Sequence, residues 1–78
     1  MTTAQAADIA RKTGIEFNSR AYRSATHGKV MLFDVWYPAD RQPLFDALQA
    51  AGCDVELTPM AHIYGNRPGV RVCVRNLE

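Results

Sequence analysis

Nine residues in the middle of the chain, Lys29 to Tyr37 (KVMLFDVWY), leave the fewest choices for folding. They are rich in β-branched and aromatic residues, follow the turn signal Thr26-His27-Gly28, and end at Pro38, which is the pattern of a strand. Read at period two, Met31, Phe33, Val35 and Tyr37 point to one side and Val30, Leu32, Asp34 and Trp36 to the other. The first set is apolar throughout and is expected to be the core face. The second is apolar apart from one acid, so the strand has two faces that avoid water. Whatever covers the second face decides how this chain meets its surroundings.

Little chain is left to do the covering. At 78 residues it is sized for one domain, 1–78, with a modest stability margin. Its 47% hydrophobic and 22% charged content is that of an ordinary globular protein. No window approaches the roughly 20 apolar residues needed to cross a bilayer, so no membrane partner is expected. The N-terminus has no basic segment followed by an apolar one. Cys53 and Cys73 fit neither a metal pattern nor a disulfide framework, and both are read as small apolar core or strand residues. These features make the cytoplasm the expected compartment.

The rest of the chain supplies two helices and three more strands. Thr2 and Gln5 form a capping box ahead of a helix from Ala4 to Thr13, which Gly14 stops. Its apolar stripe (Ala6, Ile9, Ala10) is thin, so it either packs closely or hardly at all. Ile15 to Ser24 reads as a half-exposed edge strand, joined to the central strand by a tight turn at Ala25–Gly28. Residues 41–51 read as the main core-covering helix: Asp40 is the cap, Pro43 lies in the first turn, and Leu44, Phe45, Leu48 and Ala51 share one face. Gly52 closes it. Cys53 to Thr58 alternates with Val55 and Leu57 inward; Pro59 then demands an edge or a bulge, and Met60 to Tyr64 resumes the strand. Gly65 to Gly69 reads as a turn with Pro68-Gly69 at its centre, followed by a strand with Val70, Val72 and Val74 inward and Arg71, Cys73 and Arg75 outward. The order α-β-β-α-β-β predicts an α+β fold: a small, antiparallel-rich four-stranded sheet with the second helix on one face.

Chemistry-bearing constellations are sparse. His27 sits in a turn and His62 in a strand, and each is first read as a solvated polar residue. A nucleophilic pair of Cys73 or Cys53 with His62 has no local signature, and the dispersed carboxylates suit caps and ion pairs. No cofactor or metal is implied. An enzyme is therefore not expected.

Charge is uneven although the net is +1: residues 1–29 carry +3, residues 30–58 carry −4, and residues 59–78 carry +2. Offsetting basic and acidic strands explain this most simply; a bipolar surface that steers a partner is the sharper alternative. An open sheet face with Trp36, Arg20, Tyr22, Arg71 and Arg75 has the composition that holds single-stranded nucleic acid, but Asp34, Asp54 and Glu56 share that face and would pair the arginines.

Protein binding is the leading expectation. Val30, Leu32 and Trp36 form an apolar patch of the kind that monomers hide, and aromatic residues mixed with arginine make binding hot spots. Three coverings fit: the N-terminal helix, a second copy in a homodimer, or a different protein. The residues expected to contact a partner are Trp36, Leu32, Tyr22, Arg20, Arg71 and Arg75. The expected function is that of a non-enzymatic adaptor or steric inhibitor of a larger protein or nucleoprotein assembly. Small phage and mobile-element modulators, anti-CRISPR proteins among them, act on this plan; the analogy is one of class, with no residue behind it.

Overall fold

The computed structural model describes residues 1–37, 39–63, 65 and 67–78. The elements are α1 (Thr3–Lys12), β1 (Asn18–Ser24), β2 (Gly28–Trp36), α2 (Gln42–Ala50), β3 (Asp54–Ile63) and β4 (Arg67–Leu77), in the expected order. All neighbouring strands are antiparallel and the sheet order is β1-β2-β4-β3, so β2 and β4 are central and β1 and β3 are edges. Pro38, Tyr64 and Asn66, which figured in the expected strand ends and turn, lie outside the described residues.

The core lies on the face bearing Met31, Phe33 and Val35 of β2 and Val72 and Val74 of β4. Leu44 and Leu48 of α2 complete it, and Val55 and Leu57 of β3 pack at its margin. Phe17, just before β1, meets the Phe33 ring edge-on with centroids 5.0 Å apart, a favoured aromatic geometry.

Helix α1 belongs to this same face: Ala6 and Ala10 are fully buried within the core cluster. Two alanines four residues apart let the helix approach α2 and β2 closely, which is how a thin stripe still packs. Its capping box forms as expected, with Thr2 Oγ1 accepting from Gln5 N–H at 3.1 Å and Gln5 Oε1 accepting from Thr2 N–H at 2.8 Å. With both helices on one side, the Cα envelope is 32 × 27 × 16 Å. The short dimension holds one helix layer and one sheet layer at the usual spacing of about 10 Å. The N-terminal helix therefore does not cover the second face.

Other expectations need correction. Tyr37, grouped with the core row, lies beyond β2 and is 55% exposed, because the strand ends one residue earlier. Strand β1 starts at Asn18, while Ile15 and Phe17 pack against the core from the segment before it. At α2 the cap position is Arg41, yet Asp40 Oδ1 accepts from Gln42 N–H at 2.9 Å, so Asp40 caps from one residue further out. Ala51 is exposed at the helix end. Strand β3 runs unbroken through Pro59, which sits opposite Val70; as an edge residue it has no outer neighbour to which it must donate.

The largest correction concerns Pro68-Gly69. These residues lie in β4, not in a turn, and Gly69 pairs with Trp36 on one side and Met60 on the other. Any Cβ at position 69 would clash with the Val35 carbonyl oxygen and come within 3.0 Å of Trp36 Cα and Ile63 Cδ1. The glycine is there for close strand approach.

Candidate functional site

The sheet face opposite the helices is built as cross-strand rows. From β1 to β3, the first row is Tyr22, Val30, Arg75 and Asp54, with Val30 opposite the bulge where β4 inserts an extra residue between Val74 and Leu77. The second is Arg20, Leu32, Cys73 and Glu56. The third is Asn18, Asp34, Arg71 and Thr58. At the far end Trp36 and Met60 flank Gly69. At the bulge Asn76 adopts a left-handed φ of 58° and donates its backbone N–H to His27 O at 2.7 Å, a conformation Asn tolerates better than most residues.

No helix lies here, yet Val30 is 1% exposed and Leu32 6% exposed. In their rows Val30 stands between Tyr22 and Arg75, and Leu32 between Arg20 and Cys73. Arg75 lies down along the sheet, its Nε buried without a hydrogen-bond partner and its terminal nitrogens reaching Glu56 at 2.9 Å and Asp54 at 3.0 Å. An arginine stem laid on apolar surface shelters it while the charged head stays near water. Burying a Val and a Leu this way stabilises the sheet by about 1.5–3 kcal/mol each. Leu32, expected as an exposed contact residue, is thus buried within the single molecule.

Electrostatically, the face is an ordered set of pairs. Asp34 is 4% exposed and accepts two bonds from Arg71, from Nε at 2.8 Å and Nη2 at 3.2 Å, the forked geometry that makes such pairs strong. Arg75 is shared between Asp54 and Glu56, and the hydrogen bond to Asp54 pushes the guanidinium pKa further up. Asn76 Nδ2 also donates to Asp54, at 2.9 Å. Two of the arginines expected to meet a partner therefore already hold carboxylates. Cys73 sits between them, half-buried, and burial raises its thiol pKa despite the lowering influence of Arg75 and Arg71.

The distal end of the face is different. Trp36 donates its indole N–H to Ile63 O at 3.1 Å, bridging β2 to β3. The Arg67 guanidinium lies over its ring, 5.1 Å from the centroid. Trp36, Arg67, Glu16, Tyr37 and Ala39 line a shallow cleft of about 410 Å³. Arg67 and Tyr37 were missed as site residues. Reading Pro68-Gly69 as strand would have placed Arg67 on the outer row with Arg71 and Arg75, next to Trp36.

Of the expected contact residues, Tyr22 (46% exposed) and Arg20 are exposed, and Trp36 is half-buried. The cysteine–histidine pair is not assembled. Cys73 stands opposite Glu56, and His62 lies six residues further along β3, roughly 20 Å away at the rise of a strand. Cys53 is further still from His62; its thiol meets Met1 Sδ at 3.3 Å and is pushed up in pKa by burial. Among the described residues no three His, Cys, Asp or Glu side chains converge. Among the described residues no helix is long and apolar enough to cross a membrane.

Compared with protein families, curated proteins and solved structures, the chain gives no significant match to any of them.

Proposed function

We propose that this chain is a non-enzymatic binding protein, an adaptor or steric inhibitor that sets its helix-free sheet face against a larger protein or nucleoprotein assembly. The observation that carries the reading is the arrangement of that face: uncovered by either helix, held in place by the forked Arg71–Asp34 pair and by Arg75 shared between Asp54 and Glu56, and bearing Tyr22, Arg20 and the Trp36–Arg67 stack outward. Charges already paired before contact lose little side-chain freedom on docking, which favours a rigid surface for protein recognition. Aromatic and arginine side chains at its rim supply the anchoring residues. Leu32 supports the face from beneath. Single-stranded nucleic acid is the weaker reading, because Arg71 and Arg75 are engaged with acids that would repel phosphate.

The test begins with recovery of the partner from the native host, identified by mass spectrometry, and continues with titration of the purified pair. Replacing Tyr22 and Arg20 together by Ala should weaken affinity about tenfold or more while the protein stays folded, as its thermal unfolding curve will show. Unaltered affinity overturns the reading. So does a partner that proves to be an oligonucleotide whose binding falls steeply with salt.

A further inference from the structure

The two edges of the sheet are not alike. Strand β3 carries Pro59, which has no N–H to give, and its register slips between Met60 and Ile63. Both features block another strand from pairing there. Strand β1 has neither device: it runs seven residues, Asn18–Ser24, in unbroken register against β2, and every residue except Ser24 is exposed. It stands clear of the helix layer on one side and at the rim of the open face on the other.

Charge separates the edges as well. Arg23 of β1 stands directly opposite Lys29 of β2, and like charges so placed repel. Among the described residues, neither has an ion-pair partner, and neither does Arg20. The acids of the sheet are taken by other arginines: Asp34, diagonal to Arg20 across β1 and β2, is bound to Arg71, and Asp54 and Glu56 to Arg75. The open edge is therefore basic above and below, with Arg20 on one face and Arg23 and Lys29 on the other.

We propose that β1 is a strand-addition site that takes an extended acidic segment of a protein partner. The added strand would hydrogen-bond to the free edge of β1, and carboxylates at alternate positions would meet Arg20 on one face or relieve the Arg23–Lys29 repulsion on the other. A second copy is a poorer occupant: pairing β1 with its own counterpart brings two sets of Arg20 and Arg23 to one seam, and pairing β1 with β3 of another copy meets Pro59. This inference rests on the chain being a binding protein but concerns the strand's edge, not its face.

The probe is a soluble synthetic peptide of about ten residues alternating Glu with Val and Thr, titrated into the ¹⁵N-labelled protein. The amides of residues 18–24 should shift most, and Arg20→Glu with Arg23→Glu should weaken binding about tenfold. Both positions are exposed, so the double variant should keep its fold, as its unfolding curve will show. A matched peptide with Lys for Glu, and one with a central Pro, should bind far more weakly. Equal binding of the Lys peptide overturns the proposal, as do shifts that follow protein concentration alone or a response to oligo-dT that vanishes with salt. Shifts confined to Trp36, Cys73 and Glu56 overturn edge addition while leaving face docking intact. No response to any peptide also overturns it, and the face is then judged separately by the Tyr22 and Arg20 variant with the native partner.

Discussion

Removing Arg71 should cost folding, not only recognition. Asp34 lies beneath the helix-free face with its side chain 5% exposed, and Arg71 covers it at 27% exposure. Breaking a fully buried pair by deleting one partner costs about 3–5 kcal/mol. Arg71 is partly in water, and water can reach the carboxylate once the guanidinium is gone, so Arg71→Ala should cost about 2–3 kcal/mol. Asp34→Ala leaves an arginine free to turn outward and should cost about 1–2 kcal/mol. The double variant should then lose less than the two singles together, by a coupling of about 1–2 kcal/mol. A domain of this size has roughly 4–12 kcal/mol of stability, so all three variants should stay folded. Urea unfolding followed by tryptophan fluorescence reads each value from its midpoint. A coupling below about 0.5 kcal/mol, with Arg71→Ala as stable as the parent, would mean that the pair does not organise the face and that Arg71 is available to an external anion.

Other changes test separate parts of the account. Leu32→Ala should lower stability by about 2–3 kcal/mol, because the side chain is sealed inside the monomer; lost partner binding with unchanged unfolding would restore it as a contact residue. Gly69→Ala should destabilise by about 1–3 kcal/mol and lower Tm by about 5–20 °C in calorimetry, since the new methyl meets the β2 backbone; an unchanged Tm would refute the close approach. Cys73 should alkylate more slowly in the folded protein than in urea at pH 8, because burial raises its pKa and suppresses the thiolate. The same upward shift gives a stabilising contribution that is complete below the unfolded thiol pKa and is lost as pH rises through the higher folded one. Stability should therefore decline into the alkaline range less steeply in Cys73→Ser than in the parent, and faster alkylation of the folded protein would contradict the burial.

Much of this architecture is legible in the chain itself. The β2 alternation as far as Trp36, the Leu44 and Leu48 of the α2 stripe, the Thr2–Gln5 capping box and the edge or bulge demanded by Pro59 (an edge in the structure) each follow from local rules, and each is found. What escaped depends on neighbours distant in sequence. Ala6 and Ala10 offer little area, so periodicity understates a helix whose value is close approach. Pro68-Gly69 has the composition of a turn, and only the proximity of Val35 and Trp36 makes position 69 a strand glycine. Val30 and Leu32 looked like surplus apolar surface because residue-by-residue hydropathy does not count an arginine stem as cover. Arg67 escaped with Pro68-Gly69: read as part of a turn, it had no place on the outer row beside Trp36.

The most direct measurement is solvent paramagnetic relaxation of the dilute protein with an inert gadolinium chelate. Signals from Tyr22, Arg20 and Glu56 should broaden strongly, while those of Phe33, Leu44 and Val72 stay sharp. Equal protection of the two sets would mean that something covers the helix-free face in the isolated protein, and the account of it as a surface open to a partner would be wrong.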